Sequence, residues 1–274
     1  MAHIYYSYNK EQLLENPKMP LICKPDNATV FKGMADEMAE EIVKNNAAGK
    51  KTVFICPVGP VGQYPYFVDR VNNENIHLDN VWFINMDEYL DDDKQYVPMN
   101  HPLSFRGFME RTVYSKIRPE LVMPENQRVF PDPEHPQLVP ELIEKLGGVD
   151  IAFGGIGING HVAFNEADAH LTNEEFLAQK TRVLEITPET RTANAIGDFN
   201  GALEDMPRYC VTIGIYEIAH ARKIRLGCFR NWHRAVVRRA GHGEPTSEFP
   251  VSLLQNHPDI TLTFTDFVAQ LHDE

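Results

Sequence analysis

A glycine-rich stretch at residues 154–166 carries side chains that could move protons. It contains Asn159, His161 and Glu166, which bring an amide, an imidazole and a carboxylate into one loop. Imidazole titrates near neutral pH, and a carboxylate partner would fix its tautomer and raise its basicity. A second carboxylate, Asp87, follows an apolar run, where limited water would let it act as a general base. The residues predict proton transfer on a carbonyl compound, because neither stretch contains a serine or cysteine nucleophile.

Other interpretations of the same residues must be weighed. The glycines match a dinucleotide-binding fingerprint by letter, as Gly155-x-Gly157-x-x-Gly160. That fingerprint opens a βαβ unit whose acidic residue lies about 20 residues further on, whereas here position 180 is Lys180. The nucleotide interpretation is therefore the weaker one. Structural roles are the other alternative, since a lone histidine is usually held within the core and an aspartate after a strand commonly caps a helix.

Strands and helices alternate along the chain, and their order decides where these loops lie. Continuous apolar runs predict buried strands at 52–56, 81–84, 149–153, 209–215, 223–228 and 260–264. Helical spacing and capping signals predict helices at 30–48, around 67–71, at 103–117, at 140–146, from Thr187 onwards and at 230–240. Residues 1–274 are therefore predicted to form a single α/β domain, doubly wound around a mainly parallel sheet.

Three loops leave predicted strand ends and carry glycines or polar side chains: 57–65, 85–89 and 154–166. Open parallel sheets bind ligands at the carboxyl ends of their strands, near the switch in strand order. We therefore expect the three loops to converge on one crevice.

Composition excludes several classes of partner. The chain has 274 residues, with 26 basic against 39 acidic side chains and a net charge of −13. The resulting field repels phosphate, which argues against nucleic-acid and anionic-membrane binding. No run reaches about 18 apolar residues, and the start, Met1-Ala2-His3, lacks a basic leader segment. The scattered Cys23, Cys56, Cys210 and Cys228 favour free thiols in a reducing compartment, so a cytoplasmic protein is expected.

Several motifs together resemble the glucosamine-6-phosphate deaminase (isomerase) family. They are Asn85-Met86-Asp87-Glu88-Tyr89, His101-Pro102-x-Ser104-Phe105, Gly155-Ile156-Gly157-x-x-Gly160-His161-x-Ala163-Phe164-Asn165-Glu166, Thr190-Arg191-x-Ala193-Asn194 and Leu253-Leu254-Gln255-x-His257-Pro258. The resemblance runs in register from about residue 25 to the C-terminus. It implies a modified Rossmann-like fold and an aldose–ketose isomerisation with loss of ammonia from C2. It also implies a sugar or sugar-phosphate substrate, no cofactor or metal, and either a monomer or a symmetric homo-oligomer.

The resemblance also implies roles for the proton-transfer residues. Asp87 is similar to the base that moves a proton between C2 and C1. His161 resembles the residue that assists opening of the sugar ring, held by Glu166 and by the residue at 159. The family often has aspartate there, and Asn159 keeps the hydrogen bond while removing a charge.

The phosphate-binding part departs from the family. Its loop after the first strand normally carries Ser or Thr, whereas this chain has Val58-Gly59-Pro60-Val61-Gly62-Gln63-Tyr64, and Pro60 lacks an amide donor. In the family pattern a second arginine follows five residues after the one at Arg191, but this chain has Ile196 at that position. The family also has a lysine after a later strand, and its position falls near Arg230 or His233 in this chain.

Two explanations account for this departure. In the first, the sugar is unphosphorylated or differently substituted, Gln63 and Tyr64 contact its C6 end, and Gly59 and Gly62 also bind it. In the second, Arg230, Arg234 or Arg191 rebuilds an anion site. The alternative for Arg230, Arg234, Arg238 and Arg239 is a solvated face of one helix. Two other functions share this architecture, a sugar-sensing domain without catalysis and a sugar-lactone hydrolase.

Overall fold

The computed structural model describes residues 3–271. The start Met1-Ala2, where no leader segment is expected, and residues 272–274 lie outside this range. The strands are β1 (Leu21–Lys24), β2 (Thr52–Cys56), β3 (Val81–Asn85), β4 (Asp87–Leu90), β5 (Arg128–Val129), β6 (Ile151–Gly155), β7 (Arg182–Glu185), β8 (Tyr209–Thr212), β9 (Lys223–Cys228) and β10 (Ile260–Thr265). The α-helices are α1 (Lys10–Leu14), α2 (Asn27–Ala47), α3 (Gln63–Glu74), α4 (Phe105–Thr112), α5 (Leu138–Leu146), α6 (Asn173–Leu177), α7 (Pro188–Asp198), α8 (Ile215–Ala219), α9 (His233–His242) and α10 (Asp266–Ala269).

Seven strands form the main sheet, in the order β1-β10-β9-β6-β2-β3-β5, and every neighbouring pair in it is parallel. The chain moves outwards in one direction from β2 to β3 and in the other from β6 to β9, so the order switches between β2 and β6. A smaller antiparallel sheet, β4-β8-β7, stands beside it. The predicted α/β class with a mainly parallel, doubly wound sheet is confirmed.

Alternating side chains of β2 show why the main sheet is covered on both faces. Val53 and Ile55 belong to one hydrophobic cluster, with residues of β9 and α9, while Phe54 and Cys56 belong to a second one, with residues of α2 and α3. All five positions of β2 are buried. Burial on both sides removes the polar alternation of a surface strand and leaves a continuous apolar run.

Helix α2 illustrates how local signals fix an element. The Asp26 carboxylate accepts a hydrogen bond from the Thr29 amide at 2.7 Å, so the helix begins at Asn27, three residues earlier than predicted. Val30, Met34, Met38 and Ile42 lie four residues apart and are buried. This apolar stripe anchors the helix on the sheet.

Some predicted elements differ from those observed. The stretch 209–215 is not one strand, because β8 ends at Thr212 and α8 begins at Ile215 after Gly214. The stretch 103–117 contains α4 and a short 3-10 turn, Tyr114–Lys116, instead of a single helix. The basic helix is shifted to His233–His242.

No helix among residues 3–271 is both long and apolar enough to span a membrane.

Candidate active site

A cavity of about 460 Å³ opens at the carboxyl ends of four adjacent strands, β9, β6, β2 and β3. The loops that follow these strands contribute residues 57–61, 86–87, 155–163 in part and 229–233 in part. The cavity spans the switch in strand order, where open parallel sheets bind ligands. The predicted convergence of the loops 57–65, 85–89 and 154–166 on one crevice is thus confirmed.

Asp87 enters the cavity at the junction of the two sheets. The Met86 amide donates to the Cys56 carbonyl at 2.9 Å, and the Ile213 amide donates to the Met86 carbonyl at 2.7 Å, so the backbone here is held from both sides. The Asp87 side chain is only 7% exposed. Burial, and secondly the charge of Glu88, raise the pKa of Asp87 well above its ordinary value. A carboxylate with a raised pKa in a cleft is suited to general-base work near neutral pH.

Glu88, which follows Asp87, is fully buried and has a structural task. Its carboxylate accepts hydrogen bonds from the Ser104 hydroxyl and from the Phe105 and Arg106 amides, at 2.8–3.0 Å. These bonds fix the amino end of α4 beside the cavity, since the first amides of a helix lack partners within it.

His161 is held by a chain of hydrogen bonds through Asn159 to Glu166. The His161 Nδ1 lies 2.7 Å from Asn159 Oδ1, and Asn159 Nδ2 donates to Glu166 Oε2 at 2.7 Å. A direct approach of His161 Nδ1 to Glu166 Oε2 measures 3.5 Å. Because Asn159 Nδ2 donates to Glu166, its Oδ1 accepts a hydrogen bond from the N–H at Nδ1 of His161, which leaves Nε2 as the ring atom that can accept a proton. The structure therefore brings Asn159 and Glu166 to Nδ1 of His161.

Two threonines that the sequence analysis did not assign complete the surroundings of Glu166. The hydroxyls of Thr187 and Thr190 donate to Glu166 Oε2 at 3.1 and 3.0 Å. Burial alone would raise the pKa of Glu166, but His161, Asn159 and Thr190 outweigh it and hold that pKa below its ordinary value. Glu166 therefore stays ionised. Thr187 was recognised only as a helix cap, and its contact with Glu166 follows from the fold and not from spacing.

Gly157 leaves room for the His161 ring. A Cβ atom at position 157 would lie 1.9 Å from the ring carbon Cε1. We expect Gly157→Ala to displace the imidazole and to lower kcat/KM by about 100-fold, the loss typical of a misplacement near 1 Å. The matched control is Gly33→Ala in α2, where an added Cβ meets nothing within 4 Å; it should leave activity unchanged and stabilise the helix by about 0.5–1 kcal/mol. Wild-type kinetics in Gly157→Ala would contradict this placement of His161.

Only some of the loop residues predicted to contact the substrate line the cavity. Gly59 lines the cavity, whereas Gly62, Gln63 and Tyr64 do not. Gln63 is fully buried and donates to the Pro60 carbonyl at 2.8 Å, and the hydroxyl of the equally buried Tyr64 donates to the Pro57 carbonyl. These two side chains point into the core and hold the loop through its carbonyl groups. Their predicted position at the C6 end of the substrate is therefore corrected.

The arginines predicted to bind an anion also differ in whether they line the cavity. The Arg191 guanidinium donates to the Leu203 and Met206 carbonyls and does not line the cavity. Arg230 does line it, but its Nη2 is paired with Asp198 Oδ1 at 2.6 Å. Of Arg191, Arg230 and Arg234, only Arg230 therefore lines the cavity, and its charge is paired with Asp198.

His233 lines the cavity as a neutral group. Its Nδ1 accepts hydrogen bonds from the Phe229 and Arg230 amides, both at 2.7 Å, and its Nε2 lies 2.9 Å from the Ile156 carbonyl. Burial lowers the pKa of His233 to about 3. His233 therefore ties two loops together and cannot supply the positive charge of the family lysine.

Arg238 shows that the basic helix is not a solvated face. Its side chain is only 1% exposed, and its guanidinium donates to the carbonyls of Tyr8, Arg234 and Ala269 at 2.7–2.8 Å. Carbonyl acceptors satisfy the buried cation without a carboxylate partner. This arginine joins both ends of the described chain to α9.

Aromatic rings form much of the cavity wall, and the sequence analysis did not foresee them. They are Phe31, Tyr89, Phe105, Phe108, Phe164, Phe229 and Trp232. Residues so far apart in the chain share no spacing signal, so only the fold brings them together.

Curated proteins of similar sequence are glucosamine-6-phosphate deaminases. The chain is 30% identical to the one from Thermoanaerobacter pseudethanolicus over 245 residues, which cover 88% of this chain and 92% of the relative. It is 31% identical to the one from an Exiguobacterium species over 240 residues, which cover 86% and 87% of the two chains. A comparison with protein-family models gave no match.

Solved structures share the fold. A monomeric glucosamine-6-phosphate deaminase has a TM-score of 0.80 at 24% identity, covering 93% of this chain and 100% of that one. A 6-phosphogluconolactonase from Trypanosoma cruzi has a TM-score of 0.65 at 17% identity, covering 92% and 96%. With 30% identity to a curated relative over 88% of its length, and with the shared fold, this chain belongs to the glucosamine-6-phosphate deaminase family.

Proposed function

We propose that the protein converts a 2-amino-2-deoxy aldose and water into a ketose and ammonia. The observation that carries the proposal is one cavity that holds both a buried Asp87 and the His161–Asn159–Glu166 chain. Family membership supports the same reaction, because the relatives are deaminases by name. We propose Asp87 and His161 as catalytic residues and Asn159 and Glu166 as the groups that position His161.

The first step of the proposed reaction opens the sugar ring. Neutral His161 takes the proton of the anomeric hydroxyl on Nε2 and returns a proton to the ring oxygen, while the bond between C1 and that oxygen breaks. Asn159 and ionised Glu166 stabilise the transient imidazolium through Nδ1, in the way that a carboxylate supports a catalytic histidine. The product of this step is the open-chain amino aldehyde.

The second step moves a proton from C2 to C1. Ionised Asp87 removes the proton on C2 while the C1 carbonyl oxygen gains a proton from solvent, which gives an enolamine. Return of the proton to C1 yields an iminium ion at C2, to which water adds, and ammonia then leaves as the ketone forms. Atoms balance without an external oxidant or reductant, since C1 is reduced as C2 is oxidised.

Ammonia and ketose measured together test the proposal. The full chain is incubated with glucosamine, galactosamine and their 6-phosphates, and we expect equal amounts of ammonia and ketose from at least one of them. 6-Phosphogluconolactone serves as the comparison substrate, because the lactonase neighbours share the fold alone. Hydrolysis of the lactone without ammonia from any amino sugar would refute the deaminase assignment.

The activity should require the ionised form of Asp87, and this sets its pH dependence. Burial raises the pKa of Asp87 well above its ordinary value. Because the deprotonated carboxylate is the base, kcat/KM should rise with pH through that raised pKa and level off above it. A profile from about pH 4 to pH 9 would check this, after correction for titration of the substrate amine; an acid limb at the ordinary aspartate value of about 3.9 would contradict it.

We also propose that residues 1–274 act as one domain in the cytoplasm. Support comes from four free cysteines, three of them buried, as reducing compartments favour. Association into a symmetric homo-oligomer stays a prediction, and one of the structural relatives is a monomer by its description.

A further inference from the structure

The end of the cavity formed by residues 57–61 is lined by apolar groups. We propose that the substrate is an amino aldose without a phosphate, whose terminal carbon packs against aromatic rings. The inference rests on the proposed function for the class of sugar. It concerns only the terminal carbon of that sugar, and a binding measurement without turnover tests it.

Two phenylalanines cover the place where a phosphate would meet backbone amides. The amino end of a helix attracts anions, and α3 begins directly after this loop, at Gln63. The Phe31 ring lies against Gly62, so closely that a Cβ there would come within 2.2 Å of it. Phe229 packs on Phe31 with ring centroids 4.5 Å apart, and both rings line the cavity. An anion at the start of α3 would therefore give up hydrating water for contact with apolar ring surfaces.

The lining part of the loop offers no side-chain donor. Its cavity-lining residues are Pro57, Val58, Gly59, Pro60 and Val61. None of them has a polar side chain, and the two prolines have no N–H. Gln63, the nearest polar side chain in sequence, is turned away and donates to the Pro60 carbonyl.

Charge at the cavity also disfavours a phosphate. Arg230 is paired with Asp198 at 2.6 Å, and His233 is neutral because burial lowers its pKa to about 3. Asp87, the other carboxyl of the lining, adds negative charge whenever it ionises. The helix end contributes roughly half a positive charge, which is small against a phosphate with about 1.5–2 negative charges. The described lining therefore has no excess of positive charge for an anion.

Binding of two unreactive open-chain analogues tests the inference. They are 2-amino-2-deoxyglucitol and its 6-phosphate, titrated into the full chain by calorimetry. We expect the unphosphorylated alditol to bind at least about tenfold more tightly than its 6-phosphate, a difference of about 1.4 kcal/mol. Equal or tighter binding of the phosphate would overturn the inference, and so would failure of both alditols to bind.

Matched variants test whether the pairing of Arg230 with Asp198 weakens binding of the 6-phosphate. Asp198→Asn removes the partner of Arg230 and should reduce the preference for the unphosphorylated alditol by about three- to tenfold, as expected for a partly exposed ion pair. The control is Asp205→Asn, because Asp205 is exposed and does not line the cavity. An equal preference in the two variants would contradict the inference.

The outcomes separate this inference from the proposed reaction. Tight binding of the 6-phosphate together with ammonia release from glucosamine 6-phosphate would overturn the inference and leave the reaction intact. Tight binding of the unphosphorylated alditol without ammonia release from any amino sugar would overturn the reaction and support the inference.

Discussion

Replacement of Asp87 with asparagine is expected to lower turnover by about three to four powers of ten, the upper range for loss of a general base. The amide has nearly the same shape as the carboxyl group but cannot accept the C2 proton. Ammonia release under saturating amino sugar is the measurement. A variant that keeps most of its activity would remove Asp87 from the role of base.

Stability of the same variant serves as the control for folding. Burial raises the pKa of Asp87 in the folded protein, so above about pH 4 the unfolded chain ionises this residue while the native state keeps its proton. The residue therefore destabilises the fold increasingly as pH rises towards the folded pKa. Asp87→Asn removes that cost, and its Tm should equal or exceed the wild-type Tm at neutral pH, with a smaller difference near pH 4. A large fall in Tm would mean that lost activity reflects unfolding.

Replacement of His161 with alanine should lower kcat/KM for the closed-ring sugar by about 100-fold or more, while kcat/KM for an open-chain substrate should change only slightly. The reason is that His161 handles the protons of ring opening and Asp87 handles the later transfer. A suitable open-chain substrate is 2-amino-2-deoxyglyceraldehyde, which has too few carbons to close a ring. The measurement is the ratio of kcat/KM for the two substrates.

The control for His161 is His77→Ala, because His77 is exposed and does not line the cavity. It should leave both substrates unaffected. Equal losses on the closed and open substrates in His161→Ala would assign this residue to a step shared by both, and not to ring opening.

The reactive loops were predictable because parallel sheets impose a simple rule. Apolar runs marked β2, β3 and β6, and the loop after each run had to emerge at the same edge of the sheet. That rule was sufficient to bring Asp87 and His161 to one cavity. The residues also suggested Glu166 as the partner of His161, whereas in the structure Asn159 lies between them in the hydrogen-bond chain.

The antiparallel sheet was not predictable in the same way. Strand β4 is buried at all four positions, so it lacks the alternation that marks a strand with one exposed face. Strand β7 is only partly buried and short. The run 209–215 was wrong as a single strand because Gly214 precedes a new helix within it.

Side-chain directions at the far end of the cavity also lay beyond the sequence. Gln63 and Tyr64 follow the loop directly, but the first turn of α3 points both into the core. Arg238 is charged, yet carbonyl groups at both ends of the chain surround it. Such placements depend on long-range packing, which residue type and local spacing do not encode.

The path of the C2 hydrogen tests the central claim most directly. Amino sugar labelled with deuterium at C2 is converted in ordinary water, and the ketose is examined for label at C1. If the Asp87 carboxyl carries the hydrogen from C2 to C1, part of the deuterium should appear at C1, and Asp87→Asn should stop its movement. Deamination that gives a ketose without deuterium at C1, or transfer that proceeds unchanged in Asp87→Asn, would contradict the account.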